Sequence, residues 1–449
     1  MVYTMEGHAL KHAVEEMLFH LLPTVQLTYA EAVGEGDWCR SILTEVDGQA
    51  QAKAIVCLDG MVRESESRAP VEGLQPLDYK RTITELVKTT VYNAVVPALP
   101  EPPVWGSLTG VRPAKLARGL IERGMSRGEA AEYLREHFHV SPARTALTIR
   151  AAATAMELDR AIGPDDISLY VGIPFCPSRC YYCSFVSSTT AQSGHLIEPY
   201  LDTLCREIEE TAALVREAGK RVQSVYIGGG TPTTLDENQL ARLLAALEKN
   251  FDFSALREYT VEAGRPDTIT PEKLAALRAA GVGRVSINPQ SMDDAVLAAI
   301  GRRHSAQDVL RAYDQARQAG FDAVNMDVIA GLTGDTADSF ARTIDTLIGL
   351  APENITVHTL AIKRGADLTD KAAASAQRDT VSRMLDGAAQ ALQTAGYGPY
   401  YLYRQKFTAG GFENVGWCKP DTECFYNVTM MEELQTILSL GAGGVSKRV

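Results

Sequence analysis

The chain has 449 residues, 45% of them hydrophobic, and a formal net charge of −12, so it is long enough for two or three domains with a large buried core. It carries no long run of lysine and arginine, which argues against a nonspecific nucleic-acid-binding protein. The N-terminus lacks the apolar core of a secretory signal, and the longest apolar runs are too short to span a membrane. We therefore expect a cytoplasmic protein, whose eight cysteines do not form a disulfide framework.

The first part of the chain mixes helical and strand patterns. Apolar spacing predicts a helix from His12 to Leu22, and alternation predicts strands from Trp38 to Val46 and from Ala52 to Leu58. The proline-rich stretch VVPALPEPPVWG, Val95 to Gly106, predicts a linker. Short helical patterns then continue to about Leu158.

Strand and helix patterns alternate from about residue 166 onward. The predicted strands are Leu169 to Phe175, Val222 to Ile227, Tyr259 to Glu262, Arg284 to Asn288, Ala323 to Ile329 and Ile355 to Thr359. The predicted helices between them are Ile197 to Ala218, Asn238 to Glu248, Pro271 to Ala280, Ala306 to Ala319 and Ser339 to Ile348. Such repeated alternation indicates parallel βα units, so we predict a partial (β/α)6 barrel with its chemistry at the C-terminal ends of the strands.

A long helix from Ala372 to Ala395 and a tail rich in glycine and tyrosine follow the alternating part. The expected fold is therefore α/β, a barrel with an N-terminal α+β accessory domain and a C-terminal helical and irregular extension that covers the substrate. The predicted parts are the accessory domain 1–95, a linker with a helical segment 96–165, the barrel 166–362 and the extension 363–449.

Three cysteines lie in GIPFCPSRCYYCSF with the spacing C-x3-C-x2-C: Cys176, Cys180 and Cys183. A structural zinc site usually needs four ligands, and no second cysteine pair lies nearby in the sequence. A [4Fe–4S] cluster fits better, because three thiolates from one loop hold it and leave one iron open for a substrate or cofactor. The loop follows the first predicted barrel strand, which places the cluster at the mouth of the barrel.

Further motifs follow the later strands: YIGGGTPTTL, TVEAGRPD, RVSINPQSM, GRRHS and NMDVIAGLTGDT. Together with the cysteine motif, these stretches resemble the radical S-adenosylmethionine (SAM) superfamily. Within it, residues from roughly Tyr170 to Leu360 resemble the oxygen-independent coproporphyrinogen III oxidases (dehydrogenases). The outer motifs SLTGVRPAKL, ENVGWCKPDTECFYN and LGAGGVSK look most like the HemZ-type branch of that family.

The resemblance implies a set of site residues. The three cysteines would hold the cluster, and one SAM, with a second in the coproporphyrinogen enzymes, would bind beside it. The residues implied to bind SAM are Tyr170, Tyr182, Gly229, Gly230, Thr231, Glu262, Gln290, Arg302, Asp327 and Ala361, with Val445 as a further contact. On the residues alone, Glu262 also fits a surface carboxylate, Asp327 a helix N-cap and Arg302 a solvated helix-end charge.

The resemblance also implies an activity. A 5′-deoxyadenosyl radical derived from SAM would convert two propionates of coproporphyrinogen III into vinyl groups, giving protoporphyrinogen IX. The expected partners are this tetrapyrrole and a low-potential electron donor such as flavodoxin or ferredoxin, with no nucleic acid. The alternatives are a heme-binding chaperone of the same family and a radical SAM heme methyltransferase. Basic residues proposed to hold the other propionates are Arg112, Lys115, Lys363, Arg364, Arg404 and Lys406.

Some residues depart from the family pattern or leave two interpretations open. Phe185 stands where the best-known oxidases carry a fourth cysteine, and the heme-chaperone branch also lacks that cysteine. Cys418 and Cys424 are too few for a second cluster, so we expect structural roles for them. His358 either faces the barrel and contacts substrate or is a core histidine with its hydrogen bonds satisfied.

Overall fold

The structure is a computed structural model of the 449-residue chain. It describes residues 1–185, 187–361, 378–405 and 411–449. The chain divides into two compact units, one of Met1–Val111 and Leu120–Leu147, the other of Arg112–Gly119 and Thr148–Val449. Within the described ranges, no helix is long and apolar enough to cross a membrane. The four-part domain division made from the sequence stays a prediction.

The first unit contains a five-stranded sheet of order β2-β1-β3-β4-β5. Its strands are β1 (Val2–Glu6), β2 (Thr28–Tyr29), β3 (Trp38–Val46), β4 (Gln49–Leu58) and β5 (Met61–Pro70), and its first helices are α1 (Lys11–Leu21) and α2 (Pro76–Val95). Alternate residues of β4, such as Ala52, Ala54 and Val56, are buried in one apolar core with Met17 of α1 and Val87 of α2. The predicted helix and two strands are confirmed, and β1, β5 and α2 add to them.

The predicted run of short helices after the linker is also present. It consists of α3 (Pro113–Glu122), α4 (Arg127–Phe138) and α5 (Pro142–Asp159). Ser126 and Glu129 form a capping box at the start of α4, and His139 ends that helix in the left-handed conformation. These local contacts fix where α4 begins and ends, bounds that were not predicted from the sequence.

Nine strands of the second unit, counted among the described residues, form one sheet of order β14-β15-β13-β12-β11-β10-β9-β6-β16, in which β14 is Gly398–Arg404, β15 is Glu413–Cys418 and β16 is Thr436–Gly441. The six strands at its centre are parallel and adjacent in chain order: β6 (Asp166–Ile173), β9 (Arg221–Gly229), β10 (Glu258–Glu262), β11 (Arg284–Ser286), β12 (Ala323–Ala330) and β13 (Asn354–Thr359). The helices between them include α7 (Ile197–Glu217), α8 (Glu237–Asn250), α9 (Pro271–Ala279), α10 (Asp294–Ala299), α11 (Ala306–Gln318) and α12 (Ala337–Leu350). The predicted α/β alternation is therefore confirmed.

Short elements after β6 hold the cysteine loop. They are β7 (Phe175–Cys176), β8 (Ser188–Thr189) and α6 (Thr190–Ser193). β7 and β8 pair in parallel, with Cys176 opposite Thr189.

The C-terminal part contains more regular structure than the expected helical and irregular extension. Its described elements are α13 (Arg378–Thr394), β14 (Gly398–Arg404), β15 (Glu413–Cys418), α14 (Phe425–Glu432) and β16 (Thr436–Gly441). β15 pairs antiparallel with β13, and β16 pairs in parallel with β6 at the other end of the ladder. Strand pairing between segments so far apart in the chain leaves no local sequence pattern. The start of the predicted helix, residues 372–377, lies outside the described residues.

Candidate active site

One cavity of about 480 Å³ lies at the C-terminal ends of the parallel strands of the second unit. Every residue that the sequence assigned to the cluster or to SAM lines it: Tyr170, Cys176, Cys180, Tyr182, Cys183, Gly229, Gly230, Thr231, Glu262, Gln290, Arg302, Asp327 and Ala361. Val445 and His358 line it as well. The structure thus brings these residues together, while their individual binding roles stay predictions.

The cysteine loop is held by backbone hydrogen bonds along its length. The amide of Cys183 donates to the carbonyl of Cys180 at 3.0 Å, and the amide of Tyr181 donates to the carbonyl of Ile300 at 3.2 Å. Cys176, Cys180 and Cys183 are free thiols, and burial raises the pKa of the Cys183 thiol. The loop therefore presents three cysteine sulfurs that form no disulfide to one cavity from a fixed backbone.

The glycine run after β9 packs directly against this loop. The amide of Gly230 donates to the carbonyl of Ile173 at 2.8 Å, and the amide of Thr231 donates to the carbonyl of Phe175 at 2.7 Å. The Thr231 hydroxyl donates to the Cys176 sulfur at 3.6 Å. A Cβ atom on Gly230 would lie 2.6 Å from the Phe175 oxygen and 2.9 Å from the Cys176 sulfur. The glycine is therefore required for close packing beside a cysteine.

Replacing Gly230 with alanine is expected to lower iron binding about tenfold or more, because the new methyl group displaces the backbone that carries Cys176. The measurement is iron and sulfide content per chain after anaerobic reconstitution. The matched control is Gly349→Ala in α12, where an added Cβ meets no atom within 4 Å. Iron binding by Gly230→Ala equal to that of the control would contradict the expectation.

Two carboxyl groups line the cavity from β10 and β12, the strands on either side of β11. The Tyr226 hydroxyl donates to Glu262 Oε1 at 2.6 Å, and Asn325 Nδ2 donates to Asp327 Oδ1 at 2.8 Å. Burial raises the pKa of Glu262 to about 7, although the Tyr226 hydrogen bond acts in the opposite direction. Asp327 lies within β12 and lines the cavity, so it is not a helix N-cap. The pair offers acceptors for the ammonium or hydroxyl groups of a ligand.

The two carboxyl groups titrate differently because of their neighbours. Burial acts to raise the pKa of Asp327, but hydrogen bonds and the charge of His358, whose Nε2 lies 3.8 Å from Asp327 Oδ2, bring that pKa below its usual value. The nearby charge of Asp327 in turn helps to raise the pKa of Glu262. His358 thus faces the cavity and an acidic partner, which favours the first of its two interpretations.

Glu262→Gln should make the ligand-free protein more resistant to unfolding at alkaline pH. The folded state binds the Glu262 proton more tightly than the unfolded state, whose carboxyl has a pKa near 4.5, so this group lowers the stability as pH rises towards about 7. Glutamine does not titrate. Between pH 5.5 and 8.5, we expect the free energy of unfolding measured in urea to change by about 2 kcal/mol in favour of the variant relative to the wild-type protein. Glu210→Gln, at an exposed position of α7, is the control and should show no such shift.

Arg302 closes one side of the cavity and is buried. Its Nη1 donates to the carbonyl of Asn288 at 2.7 Å, and its Nη2 donates to the Tyr182 hydroxyl at 3.2 Å. Burial acts to lower the pKa of Arg302, but the neighbouring Tyr182 and Cys180 raise it above its usual value. Arg302 is therefore a buried cation and not a solvated helix-end charge.

Several buried polar atoms at the cavity lack partners among the described residues. They are Gln290 Oε1, Asn288 Oδ1 and Arg302 Nε. Gln290 also has a backbone φ of 67°, held by its amide donating to the carbonyl of Asp327 at 2.9 Å. Buried groups without hydrogen bonds are costly, and strained backbone is typical of functional sites. These atoms fit a polar ligand such as SAM.

Part of the cavity wall is formed by residues of the C-terminal elements that were not predicted from the sequence as site residues. Tyr426, Asn427, Met430 and Met431 of α14 line the cavity, as do Tyr401 and Tyr403 of β14. The Tyr226 and Tyr426 rings stack with centroids 4.5 Å apart, and Tyr170 stacks on both. The only local signal was YYLYR, in which Tyr401 and Tyr403 alternate along a strand and so share one face.

Three of the six basic residues proposed to hold propionates are described by the structure, and all three have protein partners. Arg112 and Lys115 form ion pairs with Glu433, and Arg404 Nε donates to the carbonyl of Gly411 at 2.9 Å. None of these three residues is among the described residues that line the cavity, and their role in binding propionates stays a prediction. The other three proposed residues, Lys363, Arg364 and Lys406, lie outside the described residues.

The tail cysteines are buried away from the cavity lining. Cys418 lies in β15, and the Cys424 thiol donates to Glu258 Oε1 at 3.2 Å. Burial raises the pKa of both thiols. Both features fit the structural roles expected from the sequence.

The fold and the cysteine loop define a radical SAM protein, and residues 170–347 match the sequence model of the Radical SAM superfamily. The chain is 39% identical over 350 residues to the oxygen-independent coproporphyrinogen-III oxidase-like protein HemZ of Bacillus subtilis, a match that covers 76% of this chain and 70% of that protein. The chain therefore belongs to the HemZ-type, coproporphyrinogen oxidase-like family of radical SAM proteins. The family predicted from the motifs is confirmed.

Two other similarities connect the chain to different members of the wider group. It is 36% identical over 197 residues to the heme chaperone HemW of Bacillus subtilis, covering 44% of this chain and 51% of that protein. It also resembles the solved structure of coproporphyrinogen III oxidase (HemN) from Escherichia coli, a radical SAM enzyme. That match has a TM-score of 0.50 and 28% identity, and it covers 66% of this chain and 67% of the other.

The cofactors of this class, a [4Fe–4S] cluster and SAM, fit the residues present. Three free thiols, a glycine cradle and unsatisfied polar atoms share one cavity. Among the described residues, no three His, Cys, Asp or Glu side chains converge as the ligands of one metal ion do.

Proposed function

We propose that this protein is an oxygen-independent coproporphyrinogen III dehydrogenase. The observation that carries the proposal is that one cavity is lined by the three cysteines, by the acidic pair Glu262 and Asp327, and by the buried Arg302. Its volume of about 480 Å³ is within the range of ordinary small-molecule sites. The tetrapyrrole substrate, a flavodoxin or ferredoxin as electron donor and a cytoplasmic location are parts of the same proposal.

The chain's own residues bind and orient the reactants. Cys176, Cys180 and Cys183 would hold a [4Fe–4S] cluster, which with bound SAM supplies a 5′-deoxyadenosyl radical. Glu262 accepts hydrogen bonds from the SAM amine, and Arg302 contributes a buried cation for a carboxylate. The stacked Tyr170, Tyr226 and Tyr426 form an aromatic wall that helps to exclude water from the cavity.

The same reaction would take place at each of two propionate side chains. The radical that a bound cluster and SAM would supply would take a hydrogen atom from the propionate β-carbon, with 5′-deoxyadenosine as the by-product. The substrate radical then loses carbon dioxide and one electron, which passes to a one-electron acceptor, and a vinyl group remains. The product is protoporphyrinogen IX.

An anaerobic assay tests the proposal directly. The reconstituted and reduced protein is mixed with SAM and coproporphyrinogen III, and the tetrapyrrole is followed by mass spectrometry. Stepwise loss of two carboxyl groups, with formation of 5′-deoxyadenosine, would establish the dehydrogenase. Cleavage of SAM with an unchanged tetrapyrrole would overturn this activity and keep the radical SAM class.

A heme-binding chaperone is the second candidate, and specific lining residues favour it. His358, Met430 and Met431 line the cavity, and these side chains are common axial ligands of heme iron. Phe185, in place of a fourth cysteine, is 67% exposed at the rim. Stoichiometric heme binding lost in His358→Ala, without turnover of coproporphyrinogen III, would favour the chaperone. Consumption of heme with methyl transfer would instead indicate the methyltransferase.

A further inference from the structure

Arg265 lies in the motif TVEAGRPD but was given no role from the sequence, and it contacts the cysteine loop from the loop after β10. The residue is 3% exposed and lines the cavity. Its Nη1 lies 3.7 Å from the Cys180 sulfur and 3.4 Å from the Ser178 carbonyl, and its Nη2 donates to the Ser178 hydroxyl at 3.1 Å. A buried guanidinium thus donates directly towards one of the three cysteine sulfurs.

A carboxylate behind Arg265 fixes its orientation. Arg265 Nε and Nη2 donate to the two oxygens of Asp267, both at 2.9 Å, in a bidentate pair. His304, whose side chain is fully buried, places Nδ1 at 3.8 Å from Asp267 Oδ1. The fork of the guanidinium is therefore held in one direction, with its remaining Nη1 aimed at the cysteine loop.

A purely structural role explains part of this arrangement. The two contacts with Ser178 would by themselves fasten the loop. These two contacts do not explain why a buried cation lies beside the Cys180 sulfur, which would bind the proposed cluster as a thiolate. Hydrogen bonds and charges near cluster sulfurs set reduction potentials, because reduction adds negative charge that a nearby cation stabilises.

We propose that Arg265 is a positioning and tuning residue that raises the reduction potential of the cluster bound through Cys180, and that Asp267 partly offsets its charge. This inference rests on the proposed cluster site. It predicts opposite effects of neutralising the two charges. Loss of the Arg265 cation makes the cluster harder to reduce, and loss of the Asp267 anion makes it easier to reduce.

The test is a redox titration of the reconstituted full-length protein, followed by the electron paramagnetic resonance signal of the reduced cluster. The variants are Arg265→Met and Asp267→Asn, and the control is Arg303→Met, an exposed arginine that does not line the cavity. We expect the two test variants to shift the reduction equilibrium constant about tenfold in opposite directions, which is about 59 mV for one electron. The control should titrate like the wild-type protein.

The outcomes separate this inference from the proposed function. A wild-type chain that binds no cluster would overturn both. A wild-type cluster with unchanged potentials in both test variants would overturn the inference alone. If Arg265→Met fails to retain the cluster, Asp267→Asn decides. An unchanged or lower reduction potential in Asp267→Asn then overturns the inference. A purely structural role predicts lost cluster content without opposite shifts.

Discussion

Replacing Cys176 with alanine is expected to lower the cluster content and the cleavage of SAM by more than about 100-fold, since the loss of even an outer-shell partner costs a metal site about 10–100-fold. The expectation follows from the arrangement of the loop. Cys176, Cys180 and Cys183 line the cavity, and the other described cysteines do not. No spare thiol therefore replaces the lost ligand. The measurements are iron and sulfide per chain and 5′-deoxyadenosine formed after chemical reduction.

Cys205→Ala is the matched control for this experiment. Cys205 is a free, partly buried cysteine on α7, outside the cavity lining. We expect wild-type cluster content in this control and a normal urea unfolding curve in both variants. Cluster content equal to wild type in Cys176→Ala would show that the motif does not hold the cluster, and it would remove the basis of the proposed function.

Replacing Glu258 with alanine is expected to destabilise the protein by about 3–5 kcal/mol, the usual cost of leaving a buried charge unpaired. Glu258 and Arg284 are both buried, with Glu258 Oε2 at 3.3 Å from Arg284 Nε. The Glu258 carboxylate also accepts from the amides of Phe425 and Tyr426 at 2.8 and 3.1 Å, at the start of α14. The substitution therefore removes both the partner of a buried cation and the cap of a helix that lines the cavity.

Urea unfolding measures the cost, and two further variants keep its interpretation clear. Asp202→Ala removes the carboxylate from an exposed ion pair with Arg242, and it should cost at most about 1 kcal/mol. The double variant Glu258→Leu/Arg284→Met should lose less than the sum of its single variants, because neither charge remains unpaired. A loss for Glu258→Ala no larger than that for Asp202→Ala would show that the buried pair does not stabilise the fold.

The same variant links stability to the site. α14 carries Tyr426, Asn427, Met430 and Met431 into the cavity, and its first turn is held by Glu258 of β10. The exposed ion pair between Asp202 and Arg242 has no such connection to the cavity. Weaker tetrapyrrole binding in Glu258→Ala, with SAM cleavage retained in the folded fraction, is the expected signature of a displaced cavity wall.

The predictions from the sequence succeeded where the signal was local. The six central strands lie within a few residues of their predicted bounds, because apolar runs bounded by helical patterns are visible in a short window. The spacing of Cys176, Cys180 and Cys183 within one loop could be read in the same way. The glycine run was also readable, since Gly230 fits only where backbone and sulfur approach closely.

The failures concern contacts between distant segments. The ion pairs of Arg112 and Lys115 with Glu433, more than 300 residues later, were not predicted from the sequence. Arg265 was passed over because its importance depends on the positions of Cys180 and Asp267 in space. A charged residue in a sequence does not reveal which opposite charge will lie beside it.

The sequence alone determined the α/β class, the family and a set of residues that line one cavity, because repeated strand–helix units and motifs at strand ends are encoded over short stretches. Only the tertiary structure decided how the cavity is closed. The pairing of β16 with β6, the capping of α14 by Glu258 and the burial of Arg265 against Cys180 all join distant parts of the chain, 167 residues apart for Glu258 and Phe425. Such contacts depend on packing and charge balance in the folded core, which no local pattern records.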